Sequence, residues 1–310
     1  MDFIDLIKTI ILGLVEGLTE FAPVSSTGHM IIVDGMWLKT ESLFGSKYVA
    51  NTFKVVIQLG SILAVLVVFK DRFIDLLGLS RLGRKKGRDG NGNAEAENVS
   101  ANNGLAKTDI EEAKSRIPNT EGPRLKLMQV IVGLIPAGIL GVLFEDLIDE
   151  YLFSTATVLI GLVVGALLMI AADRFGPKVA KADTVDQITY KQAFGIGLFQ
   201  CLSIWPGFSR SGSTISGGVL LGLSHRAAAD FTFIMAVPVM AGASGLSLLK
   251  NWQYFTIDAM PFFIAGFISA FVFALVSIRF FLKLINRIKL VPFAVYRILL
   301  AVVIGALYFW

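Results

Sequence analysis

One ten-residue segment, WPGFSRSGST at 205–214, surrounds a permanent cation with hydroxyl groups. Its arginine is Arg210, its hydroxyls include Ser209, Ser211 and Thr214, and Pro206 ends any helix that arrives from upstream. A guanidinium and hydroxyls on a backbone that opens into a helix can cradle phosphate. The flanking stretches are apolar, where an arginine is costly and marks a functional site by default. We therefore predict a phosphate site, against the alternative of an ordinary cytoplasmic loop.

A second segment, residues 16–29, adds acids to this chemistry. Glu16 and Glu20 are four residues apart, which places them on one face of a helix. Two carboxylates in an apolar helix can share a cation, and oxygen ligands beside a phosphate suit a divalent cation such as Mg²⁺ or Ca²⁺. The alternative is that one acid lies at the cytoplasmic interface while the other has a structural partner.

Hydroxyl groups and a histidine follow the acids directly. Ser25, Ser26 and Thr27 come after a proline break and precede His29. The hydroxyls could bind phosphate oxygens, or one of them could act as a nucleophile. His29 could exchange a proton near neutral pH, or it could cap the helix that starts here. These residues alone leave both questions open, and they do not separate hydrolysis from transport.

The composition indicates the kind of protein that must position these groups. Hydrophobic residues make up 55% of the 310 residues, and the mean hydropathy is +0.69. This combination excludes an ordinary soluble domain and predicts an all-α polytopic membrane protein with one transmembrane domain over 1–310. A single cysteine, Cys201, excludes an intramolecular disulfide and a cysteine-based metal site. We expect membrane lipids as surroundings and no nucleic-acid partner.

The apolar segments predict six crossings and two re-entrant hairpins. Crossings are expected at 53–69, 127–144, 153–172, 227–249, 260–282 and 293–310. The stretches 3–38 and 192–223 are each broken in the middle and too short to cross twice, so each is predicted to enter and leave on one side. Residues 145–150 read as an acidic outer turn. The polar, basic-ended stretch 78–123 is predicted to be a disordered cytoplasmic loop.

The two hairpins look like copies of one another. GLVEGLT at 13–19 matches GLFQCLS at 197–203, an offset of 184 (197 minus 13). At this offset Glu16 falls on Gln200 and Ser26 on Arg210. The distribution of lysine and arginine puts the hairpin ends on opposite sides, which predicts an inverted-topology repeat with halves 1–172 and 190–310. The hairpins would then meet near the midplane, with the first-hairpin acids facing Arg210.

Both motifs resemble one known family. EGLTEFAPVSSTGH at 16–29 and PGFSRSGST at 206–214 are similar to the two signature regions of the bacterial undecaprenyl-pyrophosphate phosphatases, the bacitracin-resistance family. The likeness extends over essentially the whole chain, including 53–66 and PFAVYR at 292–297. The exception is 78–123, where the family usually has a shorter link.

The resemblance implies an integral membrane enzyme that removes the terminal phosphate of undecaprenyl diphosphate. This recycles the lipid carrier for cell-wall synthesis and gives bacitracin resistance. It implies a place in the bacterial inner membrane, with the active site opening to the periplasmic or outer side. By resemblance the catalytic residues are Glu16, Glu20, Ser26, His29 and Arg210, the first two also holding the metal. Phosphate binding is then expected from Ser25, Thr27, Ser209, Ser211 and Thr214.

Two further interpretations stay open from the sequence. Inverted repeats with broken midplane helices are also transporter architecture, so the alternative is a secondary transporter or flippase for a polyprenyl-phosphate lipid. The small residues at 241–247 would permit close helix contact, either within one chain or in a homodimer.

Overall fold

The computed structural model describes residues 3–79, 124–152, 154–255 and 257–309. Their regular secondary structure is helical, and six of the helices in these ranges are long and apolar enough to cross a membrane. The chain is therefore a multi-pass membrane protein, and the six predicted crossings are confirmed. The loop predicted at 78–123 lies, from residue 80 onward, outside the described residues.

The helices differ from the predicted segments mainly at their ends. In chain order they are α1 (Phe3–Thr19), α2 (Ser26–Met30), α3 (Thr40–Phe44), α4 (Lys47–Val68), α5 (Lys70–Leu76), α6 (Leu127–Tyr151), α7 (Thr155–Phe175), α8 (Tyr190–Cys201), α9 (Arg210–Leu220), α10 (His225–Lys250), α11 (Met260–Ile288) and α12 (Val291–Phe309). A π-helical segment, Ile31–Leu38, continues α2 without a break. Both predicted hairpins therefore have a helix, a non-helical break and a second helix.

The acidic turn predicted at 145–150 is wrong. These residues form the last part of α6, which ends at Tyr151. The sequence EDLIDE contains no glycine or proline, so nothing in it interrupts the backbone hydrogen bonds. The next helix, α7, begins after Ser154, whose side chain accepts a hydrogen bond from the Thr157 amide.

The first helix of each hairpin packs against the other half of the chain. Ser269 and Ser277 of α11 donate hydrogen bonds to the carbonyls of Ile10 (2.7 Å) and Leu18 (2.8 Å) in α1. Gly13 presses so closely on the α11 backbone that no side chain would fit there. In the same way α8 packs on α6.

The other helices follow the same exchange between halves. α4 packs on α10, and α7 packs on α12. Each partner comes from the corresponding place in the other half of the chain, an arrangement that fits a two-fold repeat. The halves 1–172 and 190–310 themselves stay a prediction. This packing brings the breaks of the two hairpins together in the interior of the bundle.

Candidate active site

A strained serine forms the break of each hairpin. Ser25 has φ 70° and ψ 97°, and its side chain accepts a hydrogen bond from Gly28 N–H at 3.3 Å. Ser209 has φ 73° and ψ 116°, and its side chain accepts from Gly212 N–H at 3.1 Å. A positive φ is unfavourable for a residue with a Cβ atom. Both serines therefore combine a sharp turn with a cap for the helix that follows.

Glu20 joins the two hairpins. Its Oε2 accepts a hydrogen bond from Ser26 Oγ at 2.6 Å, and its Oε1 lies 3.1 Å from Arg210 Nη2. The Arg210 and Glu20 side chains are only 13% and 10% exposed, so this contact is largely shielded from surrounding solvent or lipid. Ser211 Oγ adds a second link by donating to the Ala22 carbonyl at 3.1 Å. An acid, a hydroxyl and a guanidinium are thus brought together from distant parts of the sequence.

Aromatic and sulfur groups surround the rest of the Arg210 side chain. Its guanidinium carbon lies 5.7 Å from the centre of the Phe21 ring, and Nη2 is 3.4 Å from Met240 Sδ. These soft neighbours hold the guanidinium in place but offer little competition to a phosphate for its N–H groups. A phosphate that reached Arg210 would also be within reach of Ser26, because both side chains contact Glu20.

Besides the two capping serines, Ser211 and Thr214 among the predicted phosphate-binding hydroxyls also have partners within the protein. Thr214 Oγ1 donates to the Arg210 carbonyl at 2.8 Å and accepts from Thr232 Oγ1 at 2.9 Å. Ser211 is 1% exposed, and its Oγ lies 3.3 Å from Ser209 Oγ. These bonds stabilise the first turn of α9. Phosphate binding by Ser209, Ser211 and Thr214 stays a prediction.

Glu16 lines a cavity of about 800 Å³, and hydroxyl groups of the first hairpin lie in the same lining. Ser26 and Thr27 line the same cavity, and so does Gln58 of α4. Glu16 is 5% exposed and lies one helical turn before Glu20. The cavity therefore places Ser26, the candidate nucleophile, and Glu16, a predicted metal ligand, in one lining.

His29 is directed toward the side of the hairpin and not toward Glu20. Its Nδ1 lies 2.8 Å from the Ser25 carbonyl, and its Nε2 lies 2.7 Å from the Tyr296 hydroxyl. A carbonyl only accepts, so Nδ1 carries the proton and Nε2 accepts from Tyr296. The two rings also stack, with centroids 5.6 Å apart. In this arrangement His29 ties α2 to α12, which favours capping over proton transfer from Ser26.

Sequence reasoning missed Arg297 as a functional residue. Its side chain is fully buried, and Nη2 donates to the carbonyls of Gly207 (2.9 Å), Phe208 (2.8 Å) and Gly161 (3.2 Å). Arg297 thereby holds the loop before Ser209 against α7. The available signal was a single arginine within the apolar helix 291–309, which is costly unless its charge is satisfied inside the protein.

The donor atoms around Glu16 suit a hard divalent cation bound together with a ligand. Among the residues that the structure describes, no group of three or more histidine, cysteine, aspartate or glutamate side chains could hold a metal. Glu16 and Glu20 supply carboxylate oxygens and Ser26 supplies a hydroxyl. Mg²⁺ is commonly bound through one or two carboxylates, with the rest of its ligands from substrate phosphate and water. The residues present therefore fit a metal that arrives with a phosphate.

Comparison with known proteins gives a consistent result. A family model described as "Bacitracin resistance protein BacA" matches residues 9–303. A protein of Geobacillus sp. (strain WCH70) named undecaprenyl-diphosphatase is 72% identical over 309 residues, covering 100% of both chains. The undecaprenyl-diphosphatase of Bacillus subtilis (strain 168) is 58% identical over 300 residues, covering 97% of both. Undecaprenyl-diphosphatase 2 of Bacillus licheniformis is 59% identical over 308 residues, covering 99% of this chain and 100% of its own.

Proposed function

The chain belongs to the bacitracin resistance protein BacA family, and from this we infer that it is a membrane-embedded undecaprenyl-diphosphatase. It hydrolyses undecaprenyl diphosphate to undecaprenyl phosphate and inorganic phosphate. This reaction recycles the lipid carrier for cell-wall synthesis and gives resistance to bacitracin. The contact of Glu20 with both Ser26 and Arg210 is the structural observation that best supports this function.

Ser26 is the nucleophile in the mechanism that we favour. Glu20 accepts its hydroxyl hydrogen at 2.6 Å, so the carboxylate is placed to take the proton as the Ser26 oxygen attacks the terminal phosphorus. The bridging P–O bond breaks, and undecaprenyl phosphate leaves with the bridging oxygen. Water then attacks the phosphoserine and releases phosphate, while Glu20 returns the proton to Ser26. The other route, direct attack by a water that Glu20 activates, needs no covalent intermediate.

Arg210 binds the terminal phosphate in this mechanism. Its planar fork can take two phosphate oxygens at once if it exchanges its contact with Glu20 and the long 3.5 Å hydrogen bond from Nη1 to the Thr232 carbonyl. Positioning and charge stabilisation supply most of the catalysis in phosphoryl transfer. Ser25, Thr27 and Ser209 would add hydrogen bonds to the same oxygens, and Ser211 and Thr214 would do so by exchanging their bonds to the Ala22 and Arg210 carbonyls.

Glu16 and Glu20 would hold a divalent cation, Mg²⁺ or Ca²⁺, together with diphosphate oxygens. Such a cation, when bound, neutralises the negative charge that develops on those oxygens. It would also reduce the repulsion between the diphosphate and the two carboxylates. Glu16 then has a role that its burial among apolar helices otherwise leaves without explanation.

The cavity would open to the outer face of the bacterial cytoplasmic membrane. Its lining includes Lys47 at the start of α4 and Ser154 just before α7. The opposite end of α4 leads to Lys70 and Arg72, and a concentration of basic residues marks the cytoplasmic side. The prenyl tail would remain in the lipid and enter between helices.

A flippase or secondary transporter for a polyprenyl-phosphate lipid is the second candidate. The observation that favours it is the exchange of helices between halves around two broken hairpins, since transporters use this architecture. Both activities would bind the same headgroup. A homodimer through 241–247 also stays a prediction.

Phosphate release from undecaprenyl diphosphate in detergent, with and without Mg²⁺ or Ca²⁺, tests the function. We expect metal-dependent release that is lost in both Glu20→Gln and Arg210→Ala, because the two residues belong to one site. A folded, unmodified protein that releases no phosphate but moves the labelled lipid across vesicle membranes would instead support the transporter.

A further inference from the structure

A polar stripe extends along one face of α4, from the mouth of the cavity inward. It consists of Lys47, Asn51, Lys54 and Gln58, whose spacing of four, three and four residues keeps them on one side of a helix. All four line the cavity that also contains Glu16 and Ser26. In the interior, Gln58 accepts a hydrogen bond from Ser244 at 3.1 Å. None of these four residues has a role in the mechanism above.

Asp34 fixes the position of the Lys54 amine at the cavity wall. Its Oδ2 lies 2.6 Å from Lys54 Nζ, and its Oδ1 accepts a hydrogen bond from Thr40 N–H at 2.9 Å. The Asp34 side chain is 9% exposed, whereas that of Lys54 is 38% exposed. An ammonium group has three N–H donors, so the bond to Asp34 leaves two for another acceptor. The lysine is thus held in place before any ligand arrives.

The region around Lys54 is a vestibule with excess positive charge. A second cavity of about 660 Å³ shares Lys47, Asn51 and Lys54 with the first and extends to Lys39. The charged residues that line it are three lysines, at 39, 47 and 54, and two acids, at 34 and 41, a net charge of +1 (3 minus 2). The deep end of the first cavity, by contrast, contains Glu16.

The second hairpin lacks a corresponding group. At the offset of 184, Asp34 falls on Gly218 of α9, which packs so closely against Ala228 that a Cβ atom would lie 2.7 Å from the Ala228 Cβ. Most of α9 is buried. The aspartate that fixes Lys54 therefore breaks the resemblance between the hairpins on the side where the cavity opens.

We propose that Lys47, Asn51 and Lys54 form a phosphate-binding subsite at the cavity mouth, which takes the inorganic phosphate that leaves the reaction site. This subsite rests on the proposed function, since only hydrolysis produces that phosphate inside the cavity. The lipid product is retained by its tail, whereas the phosphate must reach water past Glu16. The acids repel a phosphate dianion and the lysines attract it, so the charge gradient along the cavity directs it outward.

Inhibition by added inorganic phosphate tests the subsite during turnover. We expect Lys54→Met and Lys47→Met to raise the inhibition constant for phosphate about tenfold, the size expected from loss of one charge-assisted hydrogen bond. Lys54→Arg should retain most of the inhibition. Lys283→Met, which removes an exposed lysine of α11, is the matched control. An unchanged inhibition constant in both vestibule variants would overturn the proposal.

Phosphorus NMR of inorganic phosphate gives a second readout that does not depend on turnover. The protein in detergent should broaden the phosphate line, Lys54→Met should remove most of that broadening, and Lys283→Met should leave it. Broadening that depends on Lys54 in a protein without hydrolytic activity would reject the proposed function, and with it the exit role, while showing that Lys54 still binds phosphate. A rise in the lipid KM with unchanged broadening would assign the lysines to the lipid headgroup and overturn an exit subsite.

Discussion

Ser25 and Ser209 adopt the same unusual backbone conformation, with φ of 70° and 73°, at positions 184 residues apart (209 minus 25). Each serine caps the following helix by accepting a hydrogen bond from the amide three residues later. A strained φ at a non-glycine residue costs about 1–3 kcal/mol and persists where the surroundings impose it. The two hairpins thus break with the same backbone conformation and the same helix cap. Both breaks lie where Glu20 contacts Arg210.

Glycine and alanine at Ser25 should have opposite effects on stability. Ser25→Gly relieves the positive φ and loses only the cap, so we expect an unfolding temperature equal to or above that of the unmodified protein. Ser25→Ala keeps the strain and loses the cap, which should cost about 1 kcal/mol. Tryptophan fluorescence during heating in detergent measures both. Phosphate release should fall in both variants if the Ser25 hydroxyl binds substrate. A lower unfolding temperature for Ser25→Gly than for Ser25→Ala would contradict backbone strain at this position.

Ser26→Ala separates the two hydrolytic routes. If Ser26 is the nucleophile, we expect activity to fall by about three orders of magnitude or more, because the covalent intermediate cannot form. Rapid quenching of the unmodified enzyme with substrate labelled on the terminal phosphate should then show labelled protein. Full activity of Ser26→Ala would eliminate the covalent route through this residue. Thr155→Ala is a control that removes another hydroxyl from the lining of the same cavity without removing the Ser154 helix cap.

Arg210→Lys tests the fork geometry of the phosphate site. Lysine keeps the charge but cannot bind two oxygens in a plane, and its shorter head would lose the contact with Glu20. We expect kcat/KM to fall about a hundredfold, corresponding to about 2.7 kcal/mol. Steady-state phosphate release measures this change. Activity close to that of the unmodified enzyme would contradict bidentate binding by Arg210.

Arg297→Met should weaken catalysis without removing a group that touches substrate. The carbonyls of Gly207 and Phe208 would lose their donor, and a buried unpaired carbonyl costs about 1–3 kcal/mol. We expect a lower unfolding temperature and a kcat reduced about tenfold or more, measured well below that temperature. Arg279→Met, which removes an exposed arginine of α11, controls for loss of an arginine from a membrane helix. Normal kcat in a less stable Arg297→Met protein would restrict Arg297 to a purely structural role.

Glu16→Gln should raise the metal concentration needed for activity more than it raises the KM for the lipid substrate. Loss of one carboxylate ligand is expected to raise the Mg²⁺ concentration for half-maximal activity about tenfold to a hundredfold. Removal of metal with a chelator should abolish phosphate release by the unmodified enzyme, and added Mg²⁺ or Ca²⁺ should restore it. As a matched control, Asp71→Asn removes an exposed acid of α5. Equal metal curves for Glu16→Gln and the unmodified enzyme would remove Glu16 from the metal site.

The sequence predicted the crossings and the two breaks because lipid imposes strong rules on apolar segments, prolines and basic loops. It also indicated that Glu20 and Arg210 meet, since the offset of 184 aligns the two hairpins. The acidic turn was wrong because charge shows where a chain faces water but does not by itself end a helix. The segment EDLIDE continues α6. The signal for this in the sequence is that the segment contains no glycine or proline.

Contacts that join distant segments of the chain could not be predicted in this way. Arg297 is recognised by three carbonyl groups, which leave no pattern of side chains in the sequence. The partner of His29 is a tyrosine 267 residues away, and Lys54 is fixed by an aspartate on a π-helical turn whose wider spacing the sequence did not reveal. Each of these depends on packing between helices, which periodicity within one helix does not specify.

The hydrogen bonds from Arg297 to the Gly207 and Phe208 carbonyls also constrain the order in which the active site can be completed during biosynthesis. The ribosome makes the break at Gly207 long before α12, so the carbonyls of Gly207 and Phe208 must wait for a guanidinium that follows 89 residues after Phe208. The first hairpin depends in a similar way on α11. A nascent chain that lacks α12 therefore has no finished site, and chains released before α12 should insert without phosphatase activity. Restoring activity by supplying α12 as a separate peptide would show that these hydrogen bonds can form after synthesis.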